Sequence, residues 1–307
     1  MIRFSNLTND GLREAKITQR LKEEGVEGIR RIPSFLPPLF LLFPAVAMML
    51  ALYGYPFVSS IYRSFFTKEG VLTLANYNKS IDFYLHDILF TLEVSVLSTA
   101  ISAILSILLA VYLRFGTGRV VKFIGALYRL PIFIPFVVVA QMMRTFLAPH
   151  GFLNLTLAKS GLIDIDYPLQ LFNLTGLTFG FVWKQMPFMI LIIFGGFQMI
   201  DDTYIEAARS MGARLPQIIS KILIPMGRGT ISVAVILVFS SIVGTFTLPY
   251  MLIGGKVPTT ITVDIAHRVN YFGDWGVANA LGVFSYLLVI FMAIYYLRHM
   301  VKKGIYE

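Results

Sequence analysis

Between Ile32 and Tyr62 the chain carries no charged residue. That stretch exceeds the ~20 residues an α-helix needs to cross the hydrocarbon of a bilayer. Five further apolar stretches follow. Lipid offers the backbone no hydrogen-bond partner, so such stretches are restricted to helices. Spans are predicted at 36–58, 88–113, 124–147, 174–198, 229–250 and 275–297. Composition agrees: 56% of the 307 residues are hydrophobic and 14% charged, against about 25% charged in soluble domains. The fold class expected is therefore an all-α polytopic membrane protein with six transmembrane helices. Cysteine is absent, which excludes disulfides and thiolate metal sites.

Six spans put both termini on one side, and the Lys/Arg bias selects it. The tail before the first span holds seven Lys/Arg, the 114–122 linker three, the 199–228 loop four and the C-terminal tail three, seventeen in all. The opposite face holds six: Arg63, Lys68, Lys79, Lys159, Lys256 and Arg268. Both tails and the 199–228 loop are thus expected in the cytoplasm. The expected division is a cytoplasmic tail at 1–33, a transmembrane domain at 34–300 with a cytoplasmic loop at 200–228, and a short tail at 301–307. About thirty polar and charged residues precede the first apolar run, unlike a signal peptide. Residues 11–28 place Leu12, Ile17 and Leu21 at near-helical spacing, as in an interfacial amphipathic helix or a solvated arm. The net charge of +9 follows the topology, and no nucleic-acid partner is expected.

The 199–228 loop is the chain's most distinctive polar patch. Asp201, Asp202 and Thr203 are suited to capping a helix that runs to about Met211, and Thr203 with Glu206 has capping-box spacing. Ala207 and Ala208 allow close approach by another surface. Gly212 permits a sharp turn. A second short helix is predicted from about Leu215 to Ile222, with Pro216 in its first turn and Pro225 at its end or at a kink. Glu206 and Arg209 would face water. From these residues alone, an ordinary interfacial loop remains an alternative.

The order Glu206-Ala207-Ala208, Gly212, Ile222 and Pro225 resembles the EAA loop of permease subunits in type I binding-protein-dependent ABC importers, with Ile224 where Leu is usual. Trp183-x-x-x-Pro187-Phe188 and Gly151-x-x-Asn154 extend the resemblance over most of 35–300. It implies a pathway subunit in the plasma (inner) membrane of a prokaryote. It implies further partners: two cytoplasmic ATPase subunits, a second and non-identical permease subunit, an extracytoplasmic solute-binding protein, and membrane lipid. Glu206, Ala207, Ala208, Arg209, Gly212 and Pro225 would form the coupling element. No cofactor is expected on this chain, and ATP and Mg²⁺ would belong to the ATPase subunits. A secondary transporter or channel without an ATPase partner is the competing class.

No enzymatic chemistry is legible. There is no phosphate-binding loop, and Gly254-Gly255-Lys256 lacks the preceding glycine at the required spacing. His86, His150, His267 and His299 form no metal pattern. Asp164 and Asp166 have no base, nucleophile or metal pattern beside them. His267 near Asp264 and Arg268 fits either solvated polarity or a site.

Charges within spans are costly and usually face protein or water. Glu93 and Lys184 are expected to pair, as a brace between spans or as part of a pathway. Arg129 and Arg144 suit interface positions, where they can snorkel. Span five ends in a small polar run, Ser240, Ser241, Gly244 and Thr245, followed by Phe246 and Tyr250 on one helical face. This run fits close helix packing or a pathway lined by hydroxyls and rings. Met211 stands where sugar-type permeases usually have Asp, and Met211-Gly212-Ala213, Leu72–Tyr77 and Phe246–Gly255 resemble polyamine-type permeases. Phe272–Val289 resembles the sugar type. A polyamine or related organic ion is the leading expectation, and a sugar or polyol phosphate the alternative.

Overall fold

The third predicted span is not one helix but a broken one, and the break organises much of what surrounds it. The computed structural model describes residues 36–67, 70–254 and 258–301. The N-terminal tail with its 11–28 segment, Lys68, Lys256 and residues 302–307 lie outside that description. Six helices among the described residues are long and apolar enough to cross a membrane. The backbone divides into two units, residues 1–58 and 59–307.

The first unit contributes α1 (Leu36–Met49), a π turn (Leu50–Gly54) and the start of α2 (Tyr55–Ser64). Phe43, Met48, Leu52 and Tyr53 on it are exposed.

In the second unit, α3 (Ala75–Phe115) is 41 residues long, starting thirteen residues before the predicted limit of 88. Hydropathy misses this start because it is polar, yet the polar groups are buried and used. Asn76 Nδ2 donates to the carbonyls of Ser64 and Phe66, both at 2.9 Å. Asp87 accepts from Thr259 N at 2.8 Å, and Ile261 N donates to Thr91 Oγ1 at 2.9 Å. At ~1.5 Å per residue such a helix is about 60 Å long, twice a bilayer's hydrocarbon core.

The predicted 124–147 span splits into α4 (Arg119–Leu127), a 3₁₀ turn (Leu130–Phe133) and α5 (Phe136–Leu147), followed by α6 (Phe152–Lys159). Pro131 and Pro135 cause the split: each lacks an N–H and disfavours helix in the residue before it. Ile134 is accordingly extended. The α5–α6 turn is closed by Asn154, fully buried, which donates to the Ala148 and Leu169 carbonyls and accepts from Leu169 N.

Helix α7 (Leu174–Gln198) matches its prediction, capped by the Asn173 side chain. After the loop come α8 (Asp202–Ser210), α9 (Leu215–Ile218), a π turn (Ile219–Leu223) and α10 (Ile224–Val243). Then follow α11 (Thr247–Ile253), α12 (Ile261–Asn270) and α13 (Trp275–Val301). The fifth span ends at Val243, earlier than the predicted 250, because the helix breaks at Gly244. The main core joins α3, α5, α7, α10 and α11 through Phe90, Met143, Phe181, Phe197, Val238 and Leu248. Where α7 crosses α10, Gly196 faces Thr230 and Gly227 faces Phe197. A Cβ would lie 2.5 Å and 2.7 Å from those side chains, so glycine sets how close the helices come.

Candidate coupling loop and pathway

Helix α8 begins and ends by side-chain and backbone devices that its own sequence supplies. Asp201 is the N-cap and accepts from Thr203 N at 2.8 Å. It also accepts from the Thr203 hydroxyl at 2.7 Å. That hydroxyl is therefore engaged, and the predicted Thr203–Glu206 capping box is not formed. At the other end Gly212 N donates to Arg209 O and Ala213 N to Ala208 O, both at 2.9 Å, the pattern of a Schellman stop. Gly212 has φ +81° with nothing within 4 Å of a built Cβ. Backbone conformation, not space, selects glycine there.

Ile205 and Ala208 turn inward and pack with Ile218. Glu206, Ala207, Arg209 and Gly212 are exposed, and Met211 is 82% exposed. The short helix thus shows a row of small and charged groups outward while its apolar face is held by the bundle.

The second loop helix does not stop at Ile222. It runs through the π turn into α10, where Ile224 N donates to Ile219 O, five residues back. Pro225 lies in the first turn of α10. A proline clashes with the carbonyl four residues before it, and a widened turn relieves the clash without ending the helix. The loop is therefore continuous with the fifth span.

Arg114, which the sequence showed only as one more positive charge, pairs with Asp202 and donates to Ile200 O at 3.2 Å. The Arg209 guanidinium lies 5.6 Å over the Phe115 ring.

The predicted Glu93–Lys184 pair does not exist. Glu93 is exposed on α3 and makes no ion pair among the described residues. Lys184 is nearly buried, and its Nζ donates to the carbonyls of Pro131 at 2.9 Å, Ile132 at 3.4 Å and Ile134 at 2.6 Å. Those carbonyls belong to the break in the third span, where Pro131 O also accepts from Ile134 N at 3.3 Å. Backbone of this kind survives at membrane depth only when other groups satisfy it, and the ammonium does so.

The hydroxyls of span five are largely occupied. Ser240 donates to Ile236 O at 2.7 Å and Thr245 to Ser241 O at 2.6 Å, while Ser241 accepts from Gln185 at 2.7 Å. Phe246 and Tyr250 do not extend this helix: Phe246 caps α11 beyond the break. Their rings stack at 4.9 Å, and the row continues to His267 at 6.4 Å and Tyr271 at 5.6 Å. Phe246 is 38% and Tyr250 41% exposed.

Asp264 is not solvated. It is 5% exposed on α12, and its Oδ2 has no hydrogen-bond partner. Burial, with Asp87 adding like charge and Arg268 partly offsetting it, pushes its carboxyl up to about 8. Arg268 lies against Tyr84 and Phe272, each ring centroid at 5.0 Å, and 3.8 Å from Asp274. Sequence reasoning missed Asp87, Thr91 and Gln185, whose partners lie far away in the chain.

A six-span membrane bundle with a capped helix–turn–helix between its fourth and fifth spans defines a transport-system membrane subunit. Residues 102–303 match the family described as the binding-protein-dependent transport system inner membrane component, and the chain belongs to that family, as a permease subunit of an ABC importer. It is 28% identical over 276 residues to a xylose/arabinose import permease protein of Haloferax volcanii, covering 85% of this chain and 86% of that one. It is 24% identical over 252 residues to the spermidine/putrescine transport system permease protein of Escherichia coli, covering 79% and 90%. The fold resembles a chain of a bacterial ABC transporter involved in the import of the acidic polysaccharide alginate, with TM-score 0.71, 20% identity, and 94% and 99% coverage.

Proposed function

We propose that this chain forms one half of the pathway of an ATP-driven saccharide importer, with α8 as the element that docks on an ATPase subunit. The observation that carries the docking role is α8 itself. It is capped at Asp201, stopped at Gly212, held by its apolar face and exposed along Glu206, Ala207 and Arg209. Small side chains admit a partner surface closely, and Glu206 offers a charge to it. Two cytoplasmic ATPase subunits binding ATP and Mg²⁺, a second, non-identical permease and an extracytoplasmic binding protein complete the assembly. The seventeen-to-six Lys/Arg bias supports placing α8 and both termini in the cytoplasm.

For the substrate, the ring row is the relevant surface. Aromatic faces stack on sugar rings and also attract cations. A polyamine, however, needs accessible carboxylates, and the acids of this segment do not offer them: Asp264 is buried and Asp274 faces Arg268. The 28% identity to a xylose/arabinose permease supports the saccharide reading. The polyamine reading keeps Met211-Gly212-Ala213 and the 24% identity to a spermidine/putrescine permease in its favour. Calorimetric titration of the cognate binding protein with pentoses, maltose, an alginate oligosaccharide and spermidine separates them. Saccharide binding is expected, and spermidine binding without any saccharide response overturns it. Within this chain, Tyr250→Ala and Phe246→Ala are expected to slow uptake of the identified solute while leaving complex assembly unchanged.

A further inference from the structure

Besides Ile218, two consecutive residues at one end of α3 contact α8 from the bundle side. Arg114, whose side chain is 17% exposed, holds both Ile200 O and the Asp202 carboxylate. It thereby ties the α7–α8 connection and the first residue of α8. Phe115 packs with Ile205, Ala208 and Ile218 and lies under the Arg209 guanidinium in the last turn of α8. The helix is gripped near both ends. Behind the grip, Gly116 turns the chain away at once: a Cβ there would lie 2.6 Å from Tyr112 O and 2.8 Å from Val121. The contact therefore falls on the last two residues of a 41-residue helix.

An exposed ion pair alone contributes little, and Asp202 is 66% exposed. The carbonyl bond, the apolar contact and the cation–ring contact turn that pair into an attachment at several points. Nothing comparable among the described residues holds the outward row of Glu206, Met211 and Gly212.

We propose that Arg114 and Phe115 are positioning residues that fasten α8 to α3, so that a push on α8 is delivered to α3 as a unit and reaches the opposite end of the bundle. This rests on the docking role proposed for α8. The lack of native cysteine makes paired labels direct. In the complete importer in nanodiscs, spin labels at Leu108→Cys and Ser210→Cys report the grip. Labels at Lys79→Cys and Lys159→Cys report the far end. Each is measured with and without ATP and vanadate.

In the wild-type background the first distance is expected to stay narrow and fixed on trapping while the second changes. Arg114→Gln with Phe115→Ala is expected to broaden the first distance and abolish the change in the second, with the ATPase subunits still co-purifying. Arg114→Gln alone is expected to reduce the far-end change, and Arg114→Lys, which keeps a cation for Ile200 O and Asp202, to restore it. A far-end change as large in the double variant as in wild type overturns the proposal. Cross-linking from Ala207→Cys to the ATPase subunit distinguishes the two readings. If the cross-link forms and the double variant behaves as wild type, only the lever assignment fails. If no cross-link forms in the wild-type background, the docking role fails and takes this inference with it.

Discussion

Asp264 and Gly212 show how single residues in this chain answer to their surroundings. The Asp264 carboxyl is pushed up to about 8, above its value in an unfolded chain. The folded protein therefore keeps a proton that the unfolded chain has released over the interval between the two values. Its favourable contribution is complete at acid pH and is lost as pH rises through the folded value. Thermal unfolding of the purified protein is expected to show a midpoint that falls between about pH 4 and about pH 8. Asp264→Asn is expected to flatten that dependence and to raise the midpoint at the alkaline end. An unchanged slope in the variant removes Asp264 as its source. At Gly212 the backbone is left-handed, so Gly212→Val is expected to cost about 1–3 kcal/mol of local strain. That strain should shift the turn that presents Glu206. Solute-stimulated ATP hydrolysis in the assembled importer is expected to drop in Gly212→Val and in Glu206→Ala while membrane insertion persists. Full stimulation in both variants removes α8 from coupling.

At the scale of elements, the broken third span depends on a side chain from another helix. Lys184→Met keeps the length and apolar stem of Lys184 but removes the ammonium from which three carbonyls accept, leaving Pro131 O its bond from Ile134 N. A buried polar group left unsatisfied costs about 1–3 kcal/mol, so a lowered thermal midpoint is expected, measured on the purified complex. The same contact explains where the sequence was opaque. Residues 174–198 were readable because a mostly apolar stretch of that length is a local signal, even with Lys184 and Pro187 inside it. Pro131 and Pro135 were visible, but the ammonium that makes their break tolerable comes from a position about fifty residues away. Glu93 offered itself as the partner of Lys184 because opposite charges draw notice and carbonyls do not. The start of α3 was hidden for a related reason: Asn76 and Asp87 look solvated until the chain segments that bond them are in place. The EAA loop was legible, since its cap, stop and small residues lie within a few positions. Arg114, 88 residues from Asp202, was not.

For the whole molecule, the expected arrangement has α8 on the cytoplasmic side and α6 on the other. In sealed cells, a membrane-impermeant maleimide is expected to label Lys159→Cys from outside and to leave Arg209→Cys unlabelled until the cells are opened. Labelling of Arg209→Cys from outside inverts the arrangement. Between those two faces α3 lies along α7, and α3 buries a row of short groups, Ser95, Ser98, Ser102 and Ser106, beside larger ones such as Val94 and Leu113. Ser106 reaches Met186 O at 3.3 Å, whereas the hydroxyls of Ser95, Ser98 and Ser102 have no hydrogen-bond partner. Because α3 is about 60 Å long, ~5° of tilt about its midpoint moves each tip by ~3 Å, in opposite directions. The geometry is that of a seesaw: whatever draws Arg114 one way carries Asp87 and the strap of Thr259–Ile261 the other.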